Sequence, residues 1–273
     1  MGSYCRQENV VDRPDVLAGA EPFAHDGSDD LGVLFCHGFT GCPQSLRPWA
    51  EHLAAAGLTV RLPLLPGHGT RWQDLNRTPW TDWYGEVDAA FRELNGRCSQ
   101  VFVCGLSMGG TLTLRLAQQH GDAVSGIVLV NPSVNTLRWD AKLAPLLAPL
   151  LPSTAAIASD IRKPGVVELA YPRTPVRAFA SLRKLWAVVR ADLPKITQPV
   201  LLLHSLEDHV VEPVNSKIVL DGISSTDVTE ITLADSYHVA TLDNDASRIF
   251  DESLAFVRRL SAAGHPSRAG GAT

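Results

Sequence analysis

The sequence predicts a single α/β domain, with a mostly parallel, twisted sheet and helices on both faces of that sheet. Continuous apolar runs of strand length recur along the chain, as in LGVLFCHG (31–38) and GIVLV (126–130). Stretches of about ten to fifteen residues with helical periodicity separate these runs, and Gly- or Pro-containing turns mark the boundaries. Strands and helices that alternate in this way form βαβ units, whose parallel strands are buried on both faces.

Composition narrows the class of protein. The chain has 273 residues and a formal net charge of −5, and 45% of its residues are hydrophobic. That length suits one large α/β domain or two small ones, and because no linker marks a second domain, we predict a single domain over 1–273. Because no lysine or arginine run occurs, we expect no nucleic-acid partner, and because no apolar run reaches membrane-spanning length, we expect no stable membrane insertion. The N-terminus lacks a signal-like apolar core and the cysteines show no CxxC or zinc spacing, which favours a reducing, cytoplasmic location.

The first half of the chain supplies the predicted elements in alternation. A polar stretch through residue 28, with room for one short strand, precedes the buried strand at 31–38. Pro43 begins a helical pattern that ends near Gly57, a typical residue after a helix end. The strand LTVRL follows. TDWYGEVDAAFREL then predicts an amphipathic helix, because its apolar side chains recur every three or four residues.

The second half repeats this alternation. QVFVCG predicts a strand, and MGGTLTLRLAQQHG directly after it predicts a helix. GIVLVNPS, PVLLLHS and EITLADS predict three further strands, and NDASRIFDESLAFVRRL predicts the last helix. The small and polar residues at about 262–273 predict a disordered tail.

One long segment interrupts the alternation. Residues 135–193 lie between two predicted strands, contain several prolines and hold short helical patterns such as ELAY and AFASLRKLWAVVRADL. A connection of this length exceeds a plain crossover between parallel strands. We therefore predict a small cap insertion above the C-terminal edge of the sheet, where open α/β folds bind their ligands.

The stretch Gly105-Leu106-Ser107-Met108-Gly109 matches the pattern G-x-S-x-G between a predicted strand and a predicted helix. A nucleophile exposed at such a hinge needs a strained backbone, and its small neighbours let the strand and the helix approach each other. As a bare five-residue pattern, the stretch also fits an ordinary turn serine. The strand–turn–helix context favours Ser107 as a nucleophile.

A serine nucleophile requires a base and an acid that orients the base. Asp208 follows the predicted strand PVLLLHS, and His238 follows EITLADS before the last helix. Both residues are therefore expected at the sheet edge that carries Ser107, in the order serine, acid, histidine. Glu207 and, more weakly, Asp235 stay open as alternative acids. The other candidate histidines do not follow the final strand: His37, His68, His204 and His209.

Two backbone N–H groups are the candidate donors to an oxyanion. Met108 begins the helix after Ser107, so its N–H is free of helical bonding. The stretch His37-Gly38 lets the backbone turn sharply after an early strand, which places the N–H of Phe39 toward the same point. The alternative is a Gly-rich turn without a catalytic duty. We expect His37 to bond loop backbone rather than to act in catalysis.

The motifs HGFTG, LPLLPGHG, GLSMGG, EDHVV and SYHVATLD together resemble an α/β-hydrolase, in particular the bacterial carboxylesterase and monoacylglycerol lipase family. The resemblance extends from about Gly32 to Leu260. It implies the α/β-hydrolase fold and a catalytic triad of Ser107, Asp208 and His238, with no metal and no cofactor.

The resemblance also implies a substrate. SDIRKPGVVELAYPRTP resembles the small cap of bacterial monoacylglycerol lipases, where a glutamate helps to recognise glycerol, and the matching residue here is Glu168. From the residues alone, Glu168 would pass as an exposed helical charge. The implied activity is hydrolysis of monoacylglycerols or short- to medium-chain acyl esters, by a monomer or homodimer. The alternatives are another hydrolase activity, on C–C, thioester or peptide bonds, and a non-catalytic ligand-binding sensor that retains the triad.

Overall fold

The computed structural model describes residues 15–138, 151–156 and 159–263. Seven of its strands form one sheet and two form a separate hairpin. The strands are β1 (Phe23–His25), β2 (Ser28–Cys36), β3 (Leu58–Leu62), β4 (Gln100–Leu106), β5 (Gly126–Val130), β6 (Ser153–Ala155), β7 (Arg173–Pro175), β8 (Val200–Ser205) and β9 (Val228–Leu233). The sheet order is β1-β3-β2-β4-β5-β8-β9, with β6 paired to β7. Only β1 runs antiparallel in the large sheet, so the predicted, mostly parallel fold class is confirmed.

Helices cover both faces of the sheet, as the alternating pattern predicts. The α-helices in the described residues are α1 (Arg47–Ala55), α2 (Trp72–Leu75), α3 (Trp80–Arg97), α4 (Met108–His120), α5 (Val176–Ala191), α6 (Val214–Gly222) and α7 (Ala246–Ala263). Side chains of α3, α4 and α5 pack in one core cluster, and those of α1 and α7 pack in the other. Within the described ranges, no helix combines the length and the apolar character needed to cross a membrane.

Strand β4 shows why this sheet is buried on both faces. Val101 and Val103 belong to the cluster under α3 and α4, whereas Phe102, Cys104 and Leu106 belong to the cluster under α1 and α7. Side chains alternate between the two faces along a strand, so both sets must be apolar. A continuous apolar run is therefore the expected sequence of a central strand in this fold.

The predicted insertion, 135–193, contains both a helix that packs on the core and an irregular segment. Helix α5 packs against α3 and α4 and contributes Leu185 and Val189 to the core. We call residues 159–175 the cap segment. Its stretch 166–170, which contains most of ELAY, has no regular secondary structure, so the helix predicted there is wrong. Bonds to the loop after β2 take the place of helical bonding, because Gln44 and Cys42 bond the backbone of Val167 and Leu169. Parts of the insertion, 139–150 and 157–158, lie outside the described residues.

The chain end differs slightly from the expectation. Helix α7 continues through Ala263, so the first two residues of the predicted disordered tail are helical. The rest of that tail, 264–273, lies outside the described residues, as does the segment 1–14. The short strand expected before residue 28 is β1.

Candidate active site

Ser107 lies at the junction between β4 and α4. Its φ of 57° and ψ of −118° put a non-glycine residue in a backbone region that costs on the order of 1–3 kcal/mol. A Cβ on Gly109 would lie 1.7 Å from the carbonyl oxygen of Cys36, and a Cβ on Gly105 would lie 2.3 Å from that of Gly109. The two glycines are therefore required by close backbone packing, which holds the hinge and presents the Ser107 side chain.

The predicted oxyanion donors border the same place. Phe39 and Ser107 line one cavity, and a Cβ on Gly38 would lie 3.6 Å from the Cβ of Ser107. Met108 is the first residue of α4. Among the described residues, the N–H groups of Phe39 and Met108 donate to no acceptor, so both are available to a ligand oxygen. Their role as oxyanion donors stays a prediction.

His37 has bonding partners in the loop backbone, in line with the expectation that it does not act in catalysis. Its Nδ1 lies 3.0 Å from the carbonyl oxygen of Gly38, and its Nε2 accepts the N–H of Leu65 at 3.2 Å. Burial lowers the pKa of His37 to about 4, against a raising effect of the Gly38 carbonyl. His37 is thus a neutral ring at neutral pH that joins two loops.

Asp208 and His238 are in direct contact. His238 Nδ1 lies 2.7 Å from Asp208 Oδ2, and the side chains are 8% and 3% exposed for His238 and Asp208. The other carboxylate oxygen of Asp208 accepts the N–H groups of Val210 at 2.9 Å and Val211 at 2.7 Å. The carboxylate is therefore held by its own loop and directs one oxygen at the imidazole.

The charges of this pair stabilise each other. Burial would lower the pKa of His238, but the charge and hydrogen bond of Asp208, together with the charges of Glu168 and Asp160, raise it above its ordinary value. Burial would raise the pKa of Asp208, but His238 and the N–H groups of Val210 and Val211 lower it. Around neutral pH, Asp208 is an anion, as a carboxylate that orients a histidine base must be.

The alternative acids lie elsewhere. Glu207 is exposed, although it neighbours Asp208 in sequence. The Asp235 side chain is 63% exposed and lies 3.5 Å from the guanidinium of Arg162. Neither carboxylate contacts His238 in the described structure. The geometry therefore brings together the acid and the histidine that we favoured, while their catalytic role stays a prediction.

The backbone of His238 is held by side chains that the sequence analysis missed. Asn131, directly after β5, donates from Nδ2 to the carbonyl oxygen of His238 at 2.8 Å. Ser205, at the end of β8, donates from Oγ to the carbonyl oxygen of Tyr237 at 2.8 Å. Asp160 of the cap segment accepts the N–H of His238 at 3.1 Å. The positions of Asn131 and Ser205 at strand ends were the only signals in the sequence.

Glu168 differs from the exposed helical charge that the residues suggest. It lies in an irregular part of the cap segment and lines the cavity with Ser107 and His238. A Cβ on Gly41 would lie 2.8 Å from Glu168 Oε1, so the carboxyl group is packed against the loop after β2. Burial raises the pKa of Glu168 to about 7, although His238 and the backbone of Ser159 lower it. This carboxyl group is therefore part neutral and part ionised near neutral pH.

The cavity that these residues line has a volume of about 270 Å³, close to the lower limit for small-molecule sites. The Ser107 hydroxyl, which bonds to no described residue, borders it together with His238. Apolar side chains of α5 and neighbouring loops form much of the remaining wall: Val176, Phe179, Leu182, Trp186, Val210 and Val211. The arrangement combines polar groups at one place with an apolar wall.

In the part of the chain that the structure describes, no group of three or more His, Cys, Asp or Glu residues is placed to hold a metal ion. The predicted absence of a metal and of a cofactor stays a prediction. The chemistry described below uses only the side chains and backbone groups of this chain.

Comparisons with known proteins agree with this geometry. The chain is 47% identical over 242 residues to a thermostable monoacylglycerol lipase of Bacillus sp. strain H-257, covering 88% of this chain and 95% of the relative. It is 25% identical to a carboxylesterase of Bacillus subtilis, over 88% of this chain and 97% of that protein.

Solved structures give the same result. A structure described with LipS and LipT, two metagenome-derived lipolytic enzymes, matches with a TM-score of 0.87 and 44% identity, over 90% of this chain and 100% of that chain. A monoacylglycerol lipase of Paleococcus ferrophilus matches with a TM-score of 0.72 over 88% of this chain and 98% of its own. At 20% identity, this second likeness concerns the fold alone.

A family model provides the last comparison. The family described as serine aminopeptidase, S33 (Hydrolase_4), matches residues 28–245, which include the Ser107 hinge, the cap segment and both loops that carry Asp208 and His238. The match covers well over half of the chain. With its mostly parallel sheet, the glycine-flanked serine and the buried Asp–His pair, this chain belongs to the Hydrolase_4 family of α/β-hydrolases.

Proposed function

We propose that this protein hydrolyses carboxylic esters through an acyl-enzyme formed on Ser107. The observation that carries the proposal is the buried contact of 2.7 Å between Asp208 and His238 beside the cavity that Ser107 lines. A buried carboxylate that orients an imidazole converts a nearby serine hydroxyl into a nucleophile. The likeness to a monoacylglycerol lipase over most of both chains supports the same reaction class.

In the first half-reaction, Ser107 Oγ attacks the ester carbonyl carbon while its proton passes to His238 Nε2. Asp208 accepts the Nδ1–H of His238 and stabilises the imidazolium. The carbonyl oxygen becomes an anion, which the N–H groups of Phe39 and Met108 bind. Each such donor contributes about 2.7–4 kcal/mol in other enzymes. The C–O bond to the alcohol then breaks, and the alcohol leaves with the proton from His238.

In the second half-reaction, a water molecule gives its proton to His238 Nε2 and its oxygen attacks the acyl carbon. The tetrahedral intermediate uses the same two N–H donors. Its collapse breaks the bond to Ser107 Oγ, which recovers the proton from His238. The products are a carboxylic acid and the free enzyme, so the two half-reactions together consume one ester and one water.

We propose monoacylglycerols or short- to medium-chain acyl esters as the substrates. The apolar wall made by Phe179, Leu182 and Trp186 suits an acyl chain, because burial of the acyl chain there removes apolar surface from water. Glu168 lies in the same cavity and can accept or donate a hydrogen bond to a glycerol hydroxyl, since its pKa lies at about 7. The 47% identical relative is named for this substrate class.

We also propose where the protein acts and in what oligomeric state. We propose a cytoplasmic protein, because Cys36, Cys42, Cys98 and Cys104 are free thiols, as in reducing compartments. We further propose that it acts as a monomer or a homodimer on a small-molecule substrate.

The central experiment compares wild type with Ser107→Ala on an activated ester. We expect the variant to lose turnover while its circular dichroism and thermal unfolding stay close to wild type. A fluorophosphonate should add to the wild-type chain alone, on the peptide that contains Ser107. Ester turnover that persists in the variant would overturn the proposed nucleophile. A wild-type chain that binds esters without cleaving them would instead support a non-catalytic sensor.

A second experiment tests the substrate class. We compare a monoacylglycerol with an alkyl ester of the same acyl chain, using wild type and Glu168→Gln. A role in reading glycerol predicts a larger loss of kcat/KM for the monoacylglycerol than for the alkyl ester. Equal losses would show that Glu168 does not distinguish the alcohol.

The family that matches is described as an aminopeptidase family. An aminoacyl anilide, assayed beside the ester, therefore tests whether the wild type also cleaves amide bonds.

A further inference from the structure

Asp160, in the cap segment, joins the two loops that follow β8 and β9. Its Oδ2 accepts the backbone N–H of His238 at 3.1 Å and the backbone N–H of His209 at 3.1 Å. Its Oδ1 lies 2.8 Å from His209 Nδ1, and its side chain is only 10% exposed. One carboxylate is therefore shared between the loop of Asp208 and the loop of His238.

The backbone of the cap segment follows the same course. The carbonyl oxygen of Asp160 accepts the N–H of Val239 at 3.1 Å, so the loop is bonded at two successive residues. Four residues after Val239, Asp243 accepts the N–H groups of Arg162 at 2.7 Å and Lys163 at 2.8 Å. The cap segment near Asp160 is thus attached to the loop that carries His238 by several part-buried hydrogen bonds.

We propose that Asp160 is a positioning residue that holds His238 in the orientation needed to take the proton of Ser107. The N–H of His238 is bonded to Asp160, and its carbonyl oxygen is bonded to Asn131, so the peptide units on both sides of the ring are held. The start of the cap segment is then a stationary part of the catalytic site. This inference rests on the proposed ester hydrolysis.

The negative charge of Asp160 also affects the pKa of His238. The charged groups that face His238 are Asp208 from the loop after β8, and Glu168 and Asp160 from the cap segment. His209 faces Asp160 from the loop after β8. Removing the Asp160 charge leaves the Asp208 anion and the partly ionised Glu168 near the imidazole, so the pKa of His238 falls. Because the base must be neutral to act, the acid limb of the kcat/KM profile moves to lower pH.

The test uses Asp160→Asn in the full chain. This substitution keeps the shape of the side chain and one acceptor oxygen but removes the charge. We expect kcat to fall by about 10- to 100-fold with a smaller change in KM, because misplacement of a catalytic group mainly affects the transition state. We also expect the acid limb of the pH profile to move to lower pH. Asp235→Asn is the control, because it removes an exposed charge next to the same loop. It should leave kcat and the pH profile unchanged.

Hydrogen–deuterium exchange provides a readout independent of turnover. In wild type, the N–H groups of His238 and Val239 should be protected, since both donate to Asp160. In Asp160→Ala, which leaves no carboxylate oxygen to accept the N–H of His238, exchange in the peptide that contains His238 should accelerate while peptides of β4 and β5 stay unchanged. If the wild-type His238 amide exchanges as fast as an exposed loop, the inference is wrong whatever the variant does.

The outcomes separate this inference from the proposed function. If the wild type lacks esterase activity but its His238 amide is protected, and Asp160→Ala removes that protection, the positioning contact stands and the proposed reaction is overturned. An active wild type with an Asp160→Asn variant of equal kcat and an unshifted acid limb would overturn the positioning role alone. A variant that only lowers Tm, with both kinetic properties retained, would also overturn it.

Discussion

The Ser107 hinge and the cap segment line one cavity, yet different interactions hold them in place. At the hinge, backbone packs against backbone: a Cβ on Gly109 would lie 1.7 Å from a carbonyl oxygen of the neighbouring strand. Between the cap segment and the loop after β9, the carboxylates of Asp160 and Asp243 accept backbone N–H groups from distant parts of the chain. The hinge depends on the absence of side-chain atoms, and the cap segment depends on particular side-chain oxygens.

This difference determines what each region can tolerate. Backbone packing at the hinge leaves no space, so any added atom must move a strand or a helix. A carboxylate in the cap segment can be replaced by an amide of the same shape, at the cost of its charge and of some hydrogen bonds. Substitutions at the two regions should therefore differ in both the size and the kind of their effects.

The largest effect is expected at the buried pair that faces the hinge. Asp208→Asn should lower kcat/KM by about 10⁴-fold, because an amide in place of the carboxylate favours the wrong tautomer of the histidine. Glu207→Gln, one residue earlier and exposed, should leave kcat/KM close to wild type. Steady-state kinetics on one ester decides between them. A larger loss of kcat/KM in Glu207→Gln than in Asp208→Asn would assign the role of the acid to Glu207.

Pronounced destabilisation is expected at the hinge itself. Gly109→Ala should cost at least about 3 kcal/mol of unfolding free energy, because the new methyl group would overlap a carbonyl oxygen of β2. The matched control is Gly85→Ala in α3, where nothing lies within 4 Å of the new Cβ. There, alanine should stabilise the helix by about 0.5–1 kcal/mol. Urea unfolding of both variants measures the contrast, and comparable values would refute close packing at Gly109.

A smaller loss is expected where the cap segment is bonded to the loop after β9. Asp243→Asn should cost about 1.5–3 kcal/mol, because Asp243 is 2% exposed and its charged oxygens accept several N–H groups. The loss should be accompanied by faster proteolysis within 159–175, while the sheet stays resistant. Asp235→Asn, with an exposed carboxylate, should stay within about 0.5 kcal/mol of wild type. Uniform proteolysis across the whole chain would contradict a local role for Asp243.

The smallest effect concerns the strain at Ser107. Both Ser107→Gly and Ser107→Ala remove the hydroxyl, but only glycine adopts a φ of 57° without a steric penalty. Relief of about 1–3 kcal/mol of strain exceeds the roughly 0.4–1 kcal/mol entropic cost of glycine in the unfolded chain. We expect Ser107→Gly to be more stable than Ser107→Ala by about 1 kcal/mol in chemical denaturation. An alanine variant of equal or greater stability would show that the hinge is unstrained.

Much of the fold could be predicted because its signals are local. The buried strands appear as apolar runs, and the helices appear as patterns with helical spacing. Ser107 was predicted from its two flanking glycines, and Asp208 and His238 from their places directly after strands. Parallel strands bring such places to one sheet edge, so their order along the chain suffices to bring them into one neighbourhood. The Asp208–His238 contact lies within that neighbourhood.

The cap segment could not be predicted in the same way. Residues around Glu168 suggest a helix by propensity, yet their backbone is irregular and the carboxyl group lies against Gly41. Asp160 and Asp243 are ordinary polar residues in sequence, without a motif or a period. Their partners lie 78 to 81 residues away along the chain. No local pattern contains information about such pairs.

The sequence by itself therefore predicted the sheet, its helical layers and the order in which the candidate serine, acid and histidine follow their strands. The tertiary structure decided which carboxylate contacts His238, that Glu168 faces the cavity with a pKa of about 7, and that Asp160 bonds the histidine loop. The physical reason is the range of the interactions. Periodicity and turn geometry act between near neighbours, whereas burial and long-range hydrogen bonds exist only once the chain has folded.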